Sequence, residues 1–136
     1  MPSELARLKH AVWSEIAPEL TPKDFHFPER MDVDFLRRLS RTRRRAGVPF
    51  RVVSDSRDPA ANEAAGGATN SAHMEMPCSA VDLRVKNNLE RARVVTAAVQ
   101  EGFERIGIYP AHEDNSGSVH LDASTDKPSP RFWTRY

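Results

Sequence analysis

Two histidines and an aspartate have the residue types and positions of a metal site. His120 lies in an alternating segment typical of a strand, and Asp122, two residues further on, points to the same face. His73 precedes a second alternating segment, in which Asp82 lies on the face away from the apolar residues. Two imidazoles and one carboxylate are suitable zinc ligands and leave a fourth position open for water. The residues are compatible with a zinc site of His73, Asp82 and His120, and the alternative that they leave open is a loop histidine with solvent-facing strand residues.

Glu75 and Cys78 are alternative ligands, because both lie between His73 and Asp82. Zinc accepts a cysteine thiolate readily, although a single cysteine is more often a small buried hydrophobic residue. The strand phase favours Asp82, because it directs this carboxylate towards the same cleft as His120 if the apolar face forms the core.

The elements that must position these side chains alternate between helices and short strands. Apolar periodicity and capping residues predict helices over residues 3–17, 34–46, 58–65 and 88–100. Alternation predicts strands over residues 48–54, 79–85, 106–109 and 118–122. This order predicts an α+β fold with a small, at least partly antiparallel sheet and helices mainly on one face.

Three further structural predictions follow from the same patterns. Asp34 is the expected N-cap of the second helix, whose arginine run over 37–45 is predicted to be a solvated helix face rather than a phosphate-binding surface. The buried stripe of the fourth helix is predicted to consist of Leu89, Ala92, Val95 and Val99. Near the C-terminus, Phe132 and Trp133 are predicted to close the core.

Length and composition restrict the class of protein. The 136 residues fit one domain, with an N-terminal helix and irregular connection over 1–30 and a metal-site core over 31–136. A net charge of +1 argues against a general binder of nucleic acid, and the single cysteine cannot form an internal disulfide. No run of 18 apolar residues spans a membrane, and no signal peptide is recognised, so we expect synthesis in the cytoplasm.

The segment from Ser54 to Leu83 resembles the signature of the zinc D-Ala-D-Ala carboxypeptidase and endopeptidase superfamily that also contains the Hedgehog domain. The matching residues are Ser54, Arg57, Pro59 and Asn62 in its first half, and Ser71, His73, Ala80 and Asp82 in its second. Further on, "GFERIGIYP", "SVHLD" and "RFW" are similar to the M15-like branch of phage lysins and periplasmic murein peptidases. His73 and Asp82 are nine residues apart, however, where the family usually has seven.

The resemblance implies a zinc peptidase that hydrolyses D-residue-containing stem or cross-link peptides of peptidoglycan. It implies that Arg57 polarises the scissile carbonyl or stabilises the oxyanion, the alternative being a surface arginine paired with Asp55 or Asp58. It also implies that Ser71 supports the loop around His73.

The general base is not identified by the resemblance. Many relatives have an acidic residue three positions before the last histidine, where this chain has Gly117. Asp122 is one candidate for the base, and Glu113 and Asp114 in the preceding loop are others. His112 in the same loop either contacts substrate or is simply exposed.

A non-enzymatic function is the alternative that the resemblance leaves open. The same fold can serve as a metal-binding or structural module, for example in a virion or phage tail. For the enzyme, we expect a peptidoglycan peptide as partner, no nucleic acid, and action at the cell wall after phage-type release or as part of a virion. The oligomeric state stays open.

Overall fold

The computed structural model of the chain describes residues 4–67, 70–110 and 117–134. The described helices are α1 (Glu4–Ile16), α2 (Val33–Ala46), α3 (Pro59–Ala64) and α4 (Asn88–Gln100). The strands are β1 (Arg51–Ser54), β2 (Ala80–Arg84), β3 (Arg105–Tyr109), β4 (Ser118–Asp122) and β5 (Arg131–Thr134). The predicted order of helices and strands is confirmed, with β5 added at its end. None of these helices is both long and apolar enough to cross a bilayer.

The five strands form one sheet in the order β1-β2-β4-β3-β5. The first three pairings are antiparallel, and only β5 runs parallel to its neighbour β3. The predicted α+β fold with a partly antiparallel sheet is therefore confirmed. Strand β5 was not predicted, because its pairing with β3 is non-local and its four residues carry little periodicity of their own.

One face of the sheet forms the core with α1, α2 and α4. Its buried residues include Val81 and Leu83 of β2, Ile106 of β3, and Val119 and Leu121 of β4. Each buried side chain of this size contributes roughly 1.5–3 kcal/mol to the hydrophobic driving force. Because side chains alternate along a strand, burying these residues turns the intervening polar ones to the opposite face.

The N-cap of helix α2 lies two residues earlier than predicted. Asp32 is its N-cap, with Oδ2 accepting a hydrogen bond from the Phe35 N–H at 2.9 Å, whereas Asp34 is exposed and pairs with Arg37. Both aspartates are suitable cap residues. The choice depends on the distant Cys78, whose carbonyl accepts a hydrogen bond from the Asp32 N–H. Such a tertiary contact cannot be inferred from the helix sequence.

The arginine run of α2 is bound by acidic residues of the same chain. The ion pairs are Arg37–Glu15, Arg41–Glu101, Arg44–Glu19 and Arg45–Glu101. These contacts support the interpretation as a solvated helix face, because four of the six arginines already have acidic partners. Exposed pairs of this kind contribute little stability individually.

The predicted buried stripe of α4 was largely wrong. Leu89 and Val99 are 62% and 47% exposed, and the buried residues are Val94, Ala97 and Ala98. This face is flanked by Glu90 and Glu101, which pair with arginines of β1 and α2. The position of the buried face of α4 depends on these ion pairs with other elements. The spacing of apolar residues along α4 contains no information about them, so it predicts the wrong face.

The prediction that the C-terminal aromatic residues close the core was wrong. Phe132 is 56% exposed, because it lies on the edge strand β5 and nothing described covers it. Trp133 is half-buried on the polar face of the sheet, so it does not belong to the core. The first strand is also shorter than predicted and begins at Arg51.

Candidate metal centre

The register of the sheet places two of the predicted ligands side by side. Asp82 of β2 pairs directly with His120 of β4, so both side chains lie on the polar face. His73 reaches them from a single 3-10 turn, Ala72–Met74. The N-cap of this turn is Ser71, whose Oγ accepts a hydrogen bond from the His73 N–H at 3.2 Å. The two imidazole ring centroids are 5.1 Å apart.

The three side chains have the separations of ligands on one metal ion. His73 Nε2 is 3.2 Å from Asp82 Oδ2, and His120 Nδ1 is 3.0 Å from Asp82 Oδ1. All three potential ligand atoms lie within 4.8 Å of one another. Tetrahedral ligands about 2 Å from zinc are about 3.3 Å apart, so the donor set fits zinc. The loop over 75–79 absorbs the nine-residue spacing and still returns Asp82 to the site.

The outward-facing nitrogen of each imidazole is held by an acceptor. His73 Nδ1 lies 2.6 Å from the carbonyl oxygen of Asp55, and His120 Nε2 lies 2.6 Å from Asp122 Oδ2. A carbonyl or carboxylate can only accept, so each of these nitrogens donates its N–H. This leaves His73 Nε2 and His120 Nδ1 facing Asp82, which is the tautomer arrangement of imidazoles that bind a metal.

The charges of the site also suit a cation. Burial alone would raise the pKa of Asp82, but hydrogen bonds from His120 and His73 hold it well below its usual range. Burial likewise opposes protonation of His120, yet hydrogen bonds to Asp122 and Asp82 raise its pKa. The carboxylate is thus ionised between two imidazoles, and a metal ion binds such a group by displacing the protons that the ligands share.

Asp122 is fully occupied by donors. Its Oδ1 accepts hydrogen bonds from Arg105 Nε at 2.7 Å and from the Ser124 N–H at 3.0 Å, while Oδ2 accepts from His120. Its side chain has no exposed surface. Burial would raise the pKa of Asp122, but the hydrogen bond from His120 is the main contribution that lowers it below the ordinary value. These contacts favour an orienting role over that of a base that takes a proton from water.

Arg57 points into the site rather than along the surface. Its guanidinium donates to Asp82 Oδ2 at 3.2 Å, Ser54 Oγ at 2.9 Å and Asn62 Oδ1 at 3.4 Å. Neither Asp55 nor Asp58 is its partner, so the surface alternative does not hold. These two aspartates instead accept backbone hydrogen bonds, from His26 and Ala61.

The two alternative ligands lie away from the cluster. Cys78 is buried with Sγ near the carbonyl oxygens of Ala80 and His73, and burial raises its thiol pKa to about 12. Glu75 Oε2 is held by Ser124 Oγ and Lys127 Nζ, each at 2.8 Å. Their contacts therefore favour Asp82 as the third ligand.

The remaining predicted site residues cannot be placed. His112, Glu113 and Asp114 lie outside the described residues. The glycine at the usual acidic position is required by the backbone, because Gly117 has a φ of +96° and a Cβ there would lie 2.5 Å from the Tyr109 carbonyl oxygen. No carboxylate can therefore extend from position 117 without rebuilding this loop end.

A cavity of about 880 Å³ opens over the cluster. Sequence reasoning missed Trp133 in its wall, whose ring centroid lies 5.3 Å from that of His120. Trp133 Nε1 donates to Tyr109 Oη at 3.2 Å, and the indole lies over Gly107 of β3. A glycine inside a strand is a signal of close approach by another group, and Gly107 could have been read in that way.

We expect Gly107→Ala to destabilise the protein by about 1–3 kcal/mol, because overpacking forces neighbouring groups to move. A Cβ at this position would lie 2.6 Å from Trp133 Cε2. Urea unfolding measures the loss. Trp133→Ala provides the control, since in that background Gly107→Ala should cost little. Equal costs in the two backgrounds would contradict the close contact.

Residues 9–122 match the sequence model of the family described as Peptidase M15. The match includes His73, Asp82 and His120 and ends with β4, before β5. No curated protein matches the chain.

Proposed function

The chain belongs to the peptidase M15 family, and from this premise we propose that it is a zinc-dependent peptidase of peptidoglycan peptides. Family membership implies peptidase activity. The identity of the metal is our proposal, and the observation that carries it is the His73–Asp82–His120 cluster at the base of a large cavity. Stem or cross-link peptides with D-residues are the substrates proposed from the resemblance.

In this proposal His73, Asp82 and His120 hold the zinc ion. When bound, zinc lowers the pKa of a coordinated water and polarises the peptide carbonyl. The chain contributes the orientation of the ligands, because the Asp55 carbonyl and the Asp122 carboxylate hold the outward N–H of each imidazole. Ser71 fixes the backbone of the turn that carries His73.

Arg57 is proposed to stabilise the negative charge that develops on the substrate carbonyl oxygen. Its guanidinium lines the cavity within 3.2 Å of Asp82, so a carbonyl near the metal would lie within its reach. Because both oxygens of Asp122 are engaged, we assign it to the orientation of His120. Glu113 and Asp114 are then the preferred candidates for the proton acceptor.

Digestion of purified peptidoglycan tests the proposal. The protein should release peptides that mass spectrometry detects, lose this activity with a chelator, and regain it when zinc is returned. Cys78→Ser serves as a control, because a change outside the cluster should leave activity in place. A zinc-loaded protein that releases nothing from peptidoglycan of several chemotypes would contradict the proposed activity.

A second candidate function is that of a metal-binding structural module, for example in a virion. The specific observation in its favour is Gly117, which stands where many relatives have an acidic residue and has no room for a side chain. Such a module would bind zinc and release no peptide.

For the peptidase, we propose that the protein reaches the cell wall by phage-type release or as part of a virion.

We also expect zinc to stabilise the fold. A ligand that binds only the folded state at about 100 times its Kd stabilises it by about 2.7 kcal/mol. For a chain of this size, this raises Tm by roughly 10 °C. Thermal melts with zinc and with chelator measure the shift, and Asp82→Ala should show none. If wild-type protein that is shown to contain metal melts at the same temperature with zinc and with chelator, zinc does not stabilise the fold and the prediction is wrong.

A further inference from the structure

The cavity over the cluster has an excess of basic side chains. Among the described residues, four basic side chains line it and two acidic ones: Arg57, Arg105, Lys127 and Arg131, against Asp82 and Asp122. A divalent cation on the cluster would add further positive charge. A cleft with this charge concentrates anionic ligands and raises the rate at which they bind.

Three of the four basic side chains are neutralised by carboxylates of the chain. Arg57 pairs with Asp82 at 3.2 Å, Arg105 with Asp122 at 2.7 Å, and Lys127 with Glu75 at 2.8 Å. Their charges are therefore committed to holding the site together. These three paired side chains leave little charge for a ligand.

Arg131 differs from them, because it has no ion pair with any residue in the described ranges. It lies on β5 in register with Arg105 of β3, which in turn is in register with Asp122 of β4. All three side chains therefore share the polar face, yet Asp122 is already saturated by other donors. Among the described residues that line the cavity, Arg131 is thus the cation whose charge is available to an anionic ligand.

The residue two positions further along β5 supplies an apolar surface beside this cation. Trp133 lies on the same face, contacts His120, and is held by its hydrogen bond to Tyr109. A ligand that extends from the cluster towards Arg131 therefore passes the indole ring. The arrangement combines an aromatic surface with an exposed guanidinium, which suits a peptide segment that ends in or carries a carboxylate.

We propose that Arg131 binds a carboxylate of the peptide substrate and selects peptides that carry one beyond the scissile bond. This inference rests on the proposed peptidase function and adds a specificity-determining residue to it. Arg131 and Trp133 lie beyond residues 9–122, so the family match does not cover them.

The sheet geometry indicates how far from the cleaved bond this carboxylate lies. Arg131 is two strands and two residues away from His120 in the register of the sheet. With strands about 4.8 Å apart and about 3.3 Å per residue, the two backbones are roughly 12 Å apart. Arg131 therefore lies outside the metal cluster, and the carboxylate that it binds is separate from the group held at the metal.

Peptide binding in the absence of turnover tests the inference. The probes are the pentapeptide L-Ala-D-Glu-L-Lys-D-Ala-D-Ala and the same peptide with its carboxyl groups converted to carboxamides, titrated calorimetrically into chelator-treated protein. Wild type should bind the acid roughly tenfold more tightly than the amide, as expected for one charge-assisted hydrogen bond at an exposed site. Arg131→Gln should bind both within about twofold, and Arg131→Lys should retain part of the preference.

Arg93→Gln is the matched control, because Arg93 is exposed on α4, on the helical side of the sheet. It should keep the wild-type preference, which excludes a general effect of net charge. An unchanged preference in Arg131→Gln, no preference in wild type, or no binding of either peptide would overturn the inference.

The assay also separates this inference from the proposed function. Hydrolysis of peptidoglycan by the zinc-loaded protein without an acid preference would leave the peptidase standing and remove the role of Arg131. An acid preference that depends on Arg131, in a protein that hydrolyses nothing, would support the carboxylate site and contradict the peptidase.

Discussion

Asp82→Ala is expected to abolish zinc binding and, with it, peptide hydrolysis. The change removes the one carboxylate that lies between the two imidazoles, at 3.2 Å from His73 and 3.0 Å from His120. Two neutral ligands would remain where the site needs three. It also removes the ion pair of Arg57, so the guanidinium is then held only by Ser54 and Asn62 among its side-chain partners. We expect an affinity loss larger than the 10- to 100-fold typical of an outer hydrogen-bond partner.

The metal content of the purified variant and a zinc titration measure this loss, and circular dichroism checks that the variant is folded. Cys78→Ser and Glu75→Ala are the controls. Cys78 is a protonated thiol in the core, and Glu75 is held by Ser124 and Lys127, so both variants should keep the metal. If Cys78→Ser lost the metal while Asp82→Ala kept it, the site would be one of two histidines and a cysteine. The proposed ligand set would then be wrong.

The part of this site that the sequence predicts well depends on strand alternation. Val81 and Leu83 must face the core, so Asp82 must face away from it, and the same reasoning applies to His120 between Val119 and Leu121. The direct pairing of Asp82 with His120 could not be read in this way, because register depends on contacts between segments distant in sequence.

The features that sequence reasoning missed are all tertiary in origin. Strand β5 forms only because β3 is available beside it, and Trp133 enters the cavity wall as a result. The buried face of α4 is set by the arginines that meet Glu90 and Glu101, and these arginines belong to other elements. Local propensity contains no information on such partners. Gly107 is different, because a glycine inside a strand indicates close approach by another group, here the Trp133 indole.

Asp122→Asn is expected to lower zinc affinity by 10- to 100-fold, the range observed when an outer partner of a ligating histidine is lost. The carboxylate accepts from His120 Nε2, Arg105 Nε and the Ser124 N–H, so both of its oxygens face donors. An amide keeps one acceptor and replaces the other with an NH₂ group. If the NH₂ faces His120, the ring proton moves to Nδ1, the nitrogen that must bind zinc. If it faces Arg105, two donors oppose each other, and in either orientation the buried guanidinium loses its counter-charge.

The same variant distinguishes an orienting role for Asp122 from that of the general base. An orienting residue acts through His120, so its loss should weaken zinc binding in titrations that need no substrate. A base acts only on the proton of the attacking water, so its loss should lower kcat and leave zinc affinity unchanged. Because breaking a buried ion pair can cost 3–5 kcal/mol, Asp122→Glu, which keeps the charge, provides a second variant that retains a partner for Arg105. If both variants bind zinc with wild-type affinity but have a reduced kcat, Asp122 acts as the general base and the orienting role is wrong.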